Sequence, residues 1–120
     1  MTVAGERINR RQTGARYEDL AAAFLESRGY RILERNYRDR LGEIDVIAED
    51  GDYLVFVEVK YRKDTRNGYP EEAVSPKKQQ KIRHTALWYL YRRGYREETP
   101  CRFDVVSITG EKIRVIRGAF

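Results

Sequence analysis

Cysteine and histidine are almost missing from this chain: Cys101 and His84 are the only ones in 120 residues. A lone cysteine cannot close an internal disulfide or furnish a zinc-ribbon set, and it fits a reducing compartment. No apolar run approaches the roughly 20 residues that cross a bilayer. The opening Met1-Thr2-Val3-Ala4-Gly5-Glu6-Arg7 lacks the apolar centre of a signal peptide, so the expected location is the cytoplasm. Internal repeats, low-complexity tracts and helix-turn-helix or zinc-finger spacings are missing too, so sequence-specific reading of a duplex is not indicated. His84 falls on a polar helix face and reads as a surface histidine without a role.

What is present suits one compact domain: 41% apolar residues supply a core, and 36% charged residues of both signs leave a net charge of +5. That modest basic excess points to nucleic acid only if the cations gather round a site. Residues 1–13, with Arg7, Arg10 and Arg11, read as a loosely ordered N-terminal arm, a frayed end more than a DNA-contacting one. Residues 14–120 form the expected domain. A helix is expected over 14–28, with Tyr17, Leu20, Ala21, Phe24 and Leu25 on one face and Gly29 as its stop. Strands follow over 30–37, 43–49 and 53–62, the last two joined through Asp50-Gly51-Asp52, a strong hairpin signal. Ser75-Pro76 caps and opens a second helix running to about Arg93. Its apolar side carries Ile82, Ala86, Leu87, Tyr89 and Leu90. Strands over 102–109 and 112–117 close the chain. The order αβββαββ, with a helix crossing between the third and fourth strands, implies at least one parallel pair and a mixed-sheet α/β class.

The run Leu54-Val55-Phe56-Val57-Glu58-Val59-Lys60 is the informative one. β-Branched and aromatic residues mark a buried strand, yet it carries two charges. Desolvating an ion costs on the order of several kcal/mol, against a whole-domain stability of about 5–15 kcal/mol. These charges therefore need partners. Glu58 and Lys60 share a strand face, and the hairpin returns Asp45, in Gly42-Glu43-Ile44-Asp45, against them. Two carboxylates and an ammonium in one place suit Mg²⁺, which takes one or two carboxylates and fills its shell with water, here joined by the Val59 carbonyl and a substrate phosphate. Lys60 could orient an attacking water or stabilise developing charge. The competing reading is a structural ion pair of Lys60 with Asp45 or Glu58. Glu18, at the border of the first helix's apolar stripe, reads by itself as a solvated carboxylate.

Gly14-x-x-x-Glu18, Gly42-Glu43-Ile44-Asp45 and Val57-Glu58-Val59-Lys60 together resemble the restriction-endonuclease-like superfamily, whose core motif is PD-(D/E)xK. Here Ile44 stands where the motif has proline. The resemblance implies a mixed central sheet with αβββαβ core order flanked by helices. Asp45 and Glu58 would be metal ligands, Lys60 the catalytic lysine, and Glu18 an additional carboxylate at the metal, which would be Mg²⁺ or Mn²⁺. Over most of its length, including 14–37, 42–62, 68–73, 77–90 and 101–108, the chain resembles the YraN-like group of small bacterial proteins. By pattern it is similar to archaeal Holliday-junction resolvases, which are dimers, so a homodimer is a further expectation. The implied activity is metal-dependent hydrolysis of phosphodiester bonds in branched, flapped or otherwise non-B-form DNA. The alternatives are a non-catalytic nucleic-acid-binding module of DNA repair, recombination or uptake, and a plain interaction protein.

Phosphate contacts would come from Arg38 and Arg40 in the first strand connection, from Arg62, Lys63 and Arg66 after the Glu-x-Lys strand, and from Lys77, Lys78 and Lys81 on the second helix. The group following Lys60 is favoured. Tyr61, Tyr69 and Trp88 are candidates for stacking on unpaired bases, although Trp88 reads better as packing or a dimer surface.

Overall fold

A computed structural model describes residues 2–7, 17–64, 66, 68 and 74–120. The elements run β1 (Thr2–Arg7), α1 (Tyr17–Ser27), β2 (Arg31–Arg38), β3 (Glu43–Asp50), β4 (Tyr53–Arg62), α2 (Pro76–Arg92), β5 (Cys101–Thr109) and β6 (Lys112–Arg117). One six-stranded sheet has the order β1-β6-β5-β4-β3-β2. Only β4 and β5 pair in parallel, and α2 is the crossover between them. Ser75 caps α2, its Oγ accepting from Lys78 N at 3.2 Å, and Pro76 opens the helix. Gly29, at φ 91, ends α1, where the Tyr30 amide returns to the Leu25 carbonyl at 3.0 Å. Gly51, at φ 59, makes the β3–β4 hairpin.

The two helices lie on opposite faces of the sheet. Leu20, Ala21, Phe24 and Leu25 of α1 pack on Val46, Ala48, Val55, Val57, Val106 and Ile108. Ile82, Ala86 and Tyr89 of α2 pack on Ile47, Leu54, Phe56 and Val105. Both faces of β4 and β5 are thereby covered, as the run Leu54–Val57 and the adjacent Val105 and Val106 require. This is the mixed α/β, restriction-endonuclease-like arrangement expected from the sequence, with one strand more.

That strand is β1. The arm expected over residues 1–13 is instead, for Thr2–Arg7, an edge strand paired antiparallel with β6 in register Thr2↔Arg117 to Arg7↔Lys112. Its polar composition hides it, because an edge strand buries little and is held by backbone hydrogen bonds. Gly5 fits because a Cβ there would meet Arg114 Cβ at 2.7 Å. Residues 8–13 and the first residues of the expected helix, 14–16, lie outside the described residues. Leu87, assigned to the apolar side of α2, is 62% exposed. Thr85 is buried in that helix instead, its hydroxyl donating to the Lys81 carbonyl at 2.9 Å.

The start of β5 carries a buried polar cluster. Asp104, fully buried, accepts from Tyr30 Oη at 2.6 Å, from Arg102 Nε at 2.9 Å and from the Gly118 amide at 2.9 Å. Arg102 also reaches Asp50 at 2.7 Å, and Arg117 Nε donates to Tyr30 Oη at 3.1 Å. The cluster ties the end of β3, the starts of β2 and β5 and the end of β6 into one knot. Removing one member of such a set strands the others. Asp104→Ala should therefore cost about 3–5 kcal/mol in urea unfolding; a loss below about 1 kcal/mol would show that water substitutes freely.

Candidate active site

The β3–β4 ladder runs from Asp50↔Tyr53 to Val46↔Val57 and stops. Both strands continue. β3 stays with β2 as far as Arg38↔Glu43, and β4 stays with β5 as far as Arg62↔Thr109. The sheet therefore parts between two of its inner strands, β3 and β4, at the next two positions, Asp45 and Glu58. β3 also loses its alternation there, since Ile44 packs on the α2 side and Val46 on the α1 side. In register beside Asp45, between Arg35↔Val46 and Tyr37↔Ile44, Asn36 has φ 53. The Val59 amide, left without a ladder partner on β3, donates to Asp45 Oδ2 at 2.7 Å. A side chain thus closes what the backbone leaves open.

Phe56 faces α2, so alternation turns Glu58 and Lys60 to that side as well. Glu58 is 6% exposed, and its Oε1 lies 3.3 Å from Lys60 Nζ and 3.8 Å from Lys78 Nζ on α2. Burial, and then the neighbouring Glu58 charge, push the Asp45 carboxyl up to about 6, against the Val59 hydrogen bond and the Lys78 charge. The two carboxylates feel each other, and the three side chains singled out by sequence meet at one place. The donor set fits a divalent cation: two carboxylates, one disfavoured as an anion by the other, with backbone and water oxygens to complete a shell. A cation between them would turn that repulsion into attraction.

Glu18 is not brought into this set. It lies in the first turn of α1, on the other helical layer. Its neighbour Tyr17 stacks on Tyr61 with ring centroids 3.9 Å apart. Tyr61 follows Lys60 and by alternation faces α1. Among the described residues no three His, Cys, Asp or Glu side chains come together closely enough to hold an ion. Val59 enters through its amide, which orients Asp45.

The basic candidates divide into groups. Lys78 joins the site directly. Lys81 borders a hollow of about 180 Å³ with Gly42, Glu43 and Lys78, and Lys77 is exposed one residue before Lys78. Arg38 pairs with Glu43 at 2.9 Å. Arg40 lines a hollow of about 440 Å³ with Asp39, Leu41, Trp88 and Arg92, so Trp88, 46% exposed, is not core packing. Past β4, Arg66 pairs with Asp64 at 3.4 Å, while Arg62 and Lys63 stand beside β5 and β6. Tyr69 lies outside the described residues. The second partner of Glu58, Lys78 in the first turn of α2, has no signal in the sequence beyond a lysine near that helix start.

A restriction-endonuclease-like sheet, parted between β3 and β4 with an aspartate, a glutamate and a lysine at the gap, is the class these observations define. The sequence comparisons add a family: the chain belongs to the uncharacterised protein family UPF0102, whose sequence model matches residues 17–108. A UPF0102 protein of Lachnoclostridium phytofermentans is 51% identical over 113 residues, covering 94% of this chain and 96% of that protein. A UPF0102 protein of Syntrophus aciditrophicus is 49% identical, covering 91% and 88%. One from Nitrosococcus oceani is 46% identical, covering 92% of each.

The raised Asp45 carboxyl has a consequence for stability. In the metal-free protein its folded value of about 6 exceeds the ordinary 3.8, so the native state binds more protons between those limits. Stability therefore falls as pH rises from about 4 to about 6, and the full cost, roughly 3 kcal/mol, holds above that. Asp45→Asn removes the charge and keeps an acceptor for the Val59 amide. In EDTA it should raise stability by about 1–3 kcal/mol at pH 7.5, with the gain fading towards pH 4. Urea melts across that range check this; a gain independent of pH would contradict it.

Proposed function

We propose that this protein is a metal-dependent endonuclease acting on branched, flapped or otherwise non-B-form DNA in the cytoplasm. One observation carries the reading: Asp45, Glu58 and Lys60 meet where β3 and β4 part. Asp45 and Glu58 would hold Mg²⁺ or Mn²⁺, with the Val59 carbonyl and water as further donors. Such an ion, when bound, lowers the pKa of water and offsets phosphoryl charge. The Val59 amide fixes the Asp45 carboxylate, so one donor is set before any ligand arrives. Lys60, held against Glu58, carries the ammonium that would orient the attacking water or meet charge developing on the phosphate. Lys78 places a second cation on the α2 side of the same carboxylate. Trp88 and the nearby arginines offer contacts to unpaired bases and phosphates, and no element has the spacing of a groove-reading motif, which supports structure over sequence as the feature recognised. Pairing of two copies belongs to the same reading.

A second reading, a non-catalytic nucleic-acid-binding module, is favoured by the double pairing of Glu58. Two ammonium groups already balance the acid without a metal.

Labelled linear, flapped and four-way DNA incubated with Mn²⁺ separates the two. The native protein should cut the branched substrates, and Asp45→Asn and Lys60→Ala should each lose on the order of 100-fold or more in rate while still binding. Equal cutting by all three proteins would expose a contaminating nuclease, and binding without any product would favour the module. Mg²⁺ at a hundredfold excess over Kd should add about 2.7 kcal/mol of stability to the native protein and little to Asp45→Asn.

A further inference from the structure

Buried polar atoms without partners are rare in folded proteins and call for an explanation. Among the described residues such atoms are Arg28 Nε, Arg62 Nε, Ser107 Oγ and Thr109 Oγ1. The last three belong to two adjacent rows of β4 and β5. The parallel register sets Lys60 beside Ser107 and Arg62 beside Thr109, and β6 adds Arg114 beside Ser107 and Lys112 beside Thr109. β1 carries the second row on to Arg7. All of these share the face that bears Glu58 and Lys60. Ser107, 1% exposed, and Thr109 line a hollow of about 550 Å³ bordered by the cations Arg7, Lys63, Lys112 and Arg114 and the carboxylates Asp64 and Glu111. Asp64 is engaged by Arg66.

The three orphan groups have a common chemistry. An arginine Nε–H donates and never accepts, and each hydroxyl has a proton to give. An acceptor is the one kind of partner that would serve all three. The surrounding cations favour one that is negative, and charge-assisted bonds of this kind are the stronger ones. The hollow begins at the Lys60 row, and its second row lies roughly 6.6 Å further along the strands.

We propose that Arg62, Ser107 and Thr109 form an oxyanion-binding site that seats a backbone phosphate of the nucleic-acid strand, neighbouring the phosphate presented to Asp45, Glu58 and Lys60. The assignment rests on the nucleic-acid reading above, but it concerns binding and not cleavage. It accounts for buried hydroxyls on β5 that neither the core nor the carboxylate site uses. It also gives the strand a direction across the sheet, from the gap between β3 and β4 towards β5 and β6.

The test is binding of labelled single-stranded and flapped oligonucleotides in EDTA to the full chain and to its Ser107→Ala/Thr109→Val variant. Loss of two neutral donors should weaken binding about tenfold and leave the salt dependence unchanged. Arg62→Gln should weaken binding and also reduce the slope of log K against log salt by about 0.7–0.9. The Arg62 Nε–Hε resonance should move on adding oligonucleotide. The double variant should melt at or above the native temperature, because it replaces unpartnered hydroxyls with apolar groups of similar shape; a lower Tm would mean the hydroxyls are already satisfied and would count against the site. Binding by the double variant within about twofold of native, with the Arg62 resonance unmoved, overturns the proposal. So does a resonance that responds to inorganic phosphate and not to oligonucleotide, which would mark a site for a free anion. If the binding results hold and no substrate is cut under Mn²⁺, the nuclease reading fails and this site stands. Cutting with unimpaired binding by the double variant gives the reverse.

Discussion

The hydrogen bond from the Val59 amide to Asp45 Oδ2, 2.7 Å long, is the contact on which the architecture of the site turns. A sheet that ends an inner ladder early leaves amides and carbonyls without partners, and burying these is costly. Here an acidic side chain takes the place of the missing strand. The same bond does two further things. It holds Asp45 at the mouth of the gap beside Glu58, and it partly offsets the cost of keeping a carboxylate in a buried, negatively charged setting. Backbone geometry and acid–base chemistry are thus settled by one interaction.

Charge balance across the gap follows from the layers. β4 contributes an acid and an ammonium on a single face, and α2, crossing that face, adds Lys78 to the same carboxylate. Helix α1, on the far side, carries Glu18 away from this group and presents Tyr17 to Tyr61. The centre consequently has two acids and two ammonium groups side by side. An arrangement of that kind responds readily to an added cation or anion, which a neutral core would not.

Much of this was legible in the order of residues. Apolar runs with β-branched side chains gave β4 and β5 closely, Asp50-Gly51-Asp52 gave the hairpin, and Ser75-Pro76 gave the start of α2. Strand alternation placed Glu58 and Lys60 together, and the hairpin returned Asp45 to them. What stayed hidden depends on partners distant in sequence. β1 has little apolar character of its own and exists because β6 offers an unpaired edge. The knot around Asp104 joins residues from position 30 to position 118, and nothing local marks Tyr30 or Arg117 as members. The parting of β3 and β4 leaves no compositional trace, since Ile44 and Val46 look alike in sequence while packing on opposite sides of the sheet. Ser107 and Thr109 read as ordinary strand residues, and only the parallel register sets them beside Lys60 and Arg62.

The Asp104 knot reaches the row at which the strands part, since Asp104 lies in register beside Val57, the last β4 residue on the β3 ladder. Tyr30, Asp50, Arg102 and Arg117 tie the strands together on the closed side of that row, while beyond Val46 and Val57 the Asp45 side chain bridges β3 to β4. The closed part of the β3–β4 pair is therefore braced up to the last rung before the gap. Moving the open part of β3 would drag Ile44 out of the α2-side core, so hydrophobic contacts as well as the Asp45 bridge hold the width of the gap.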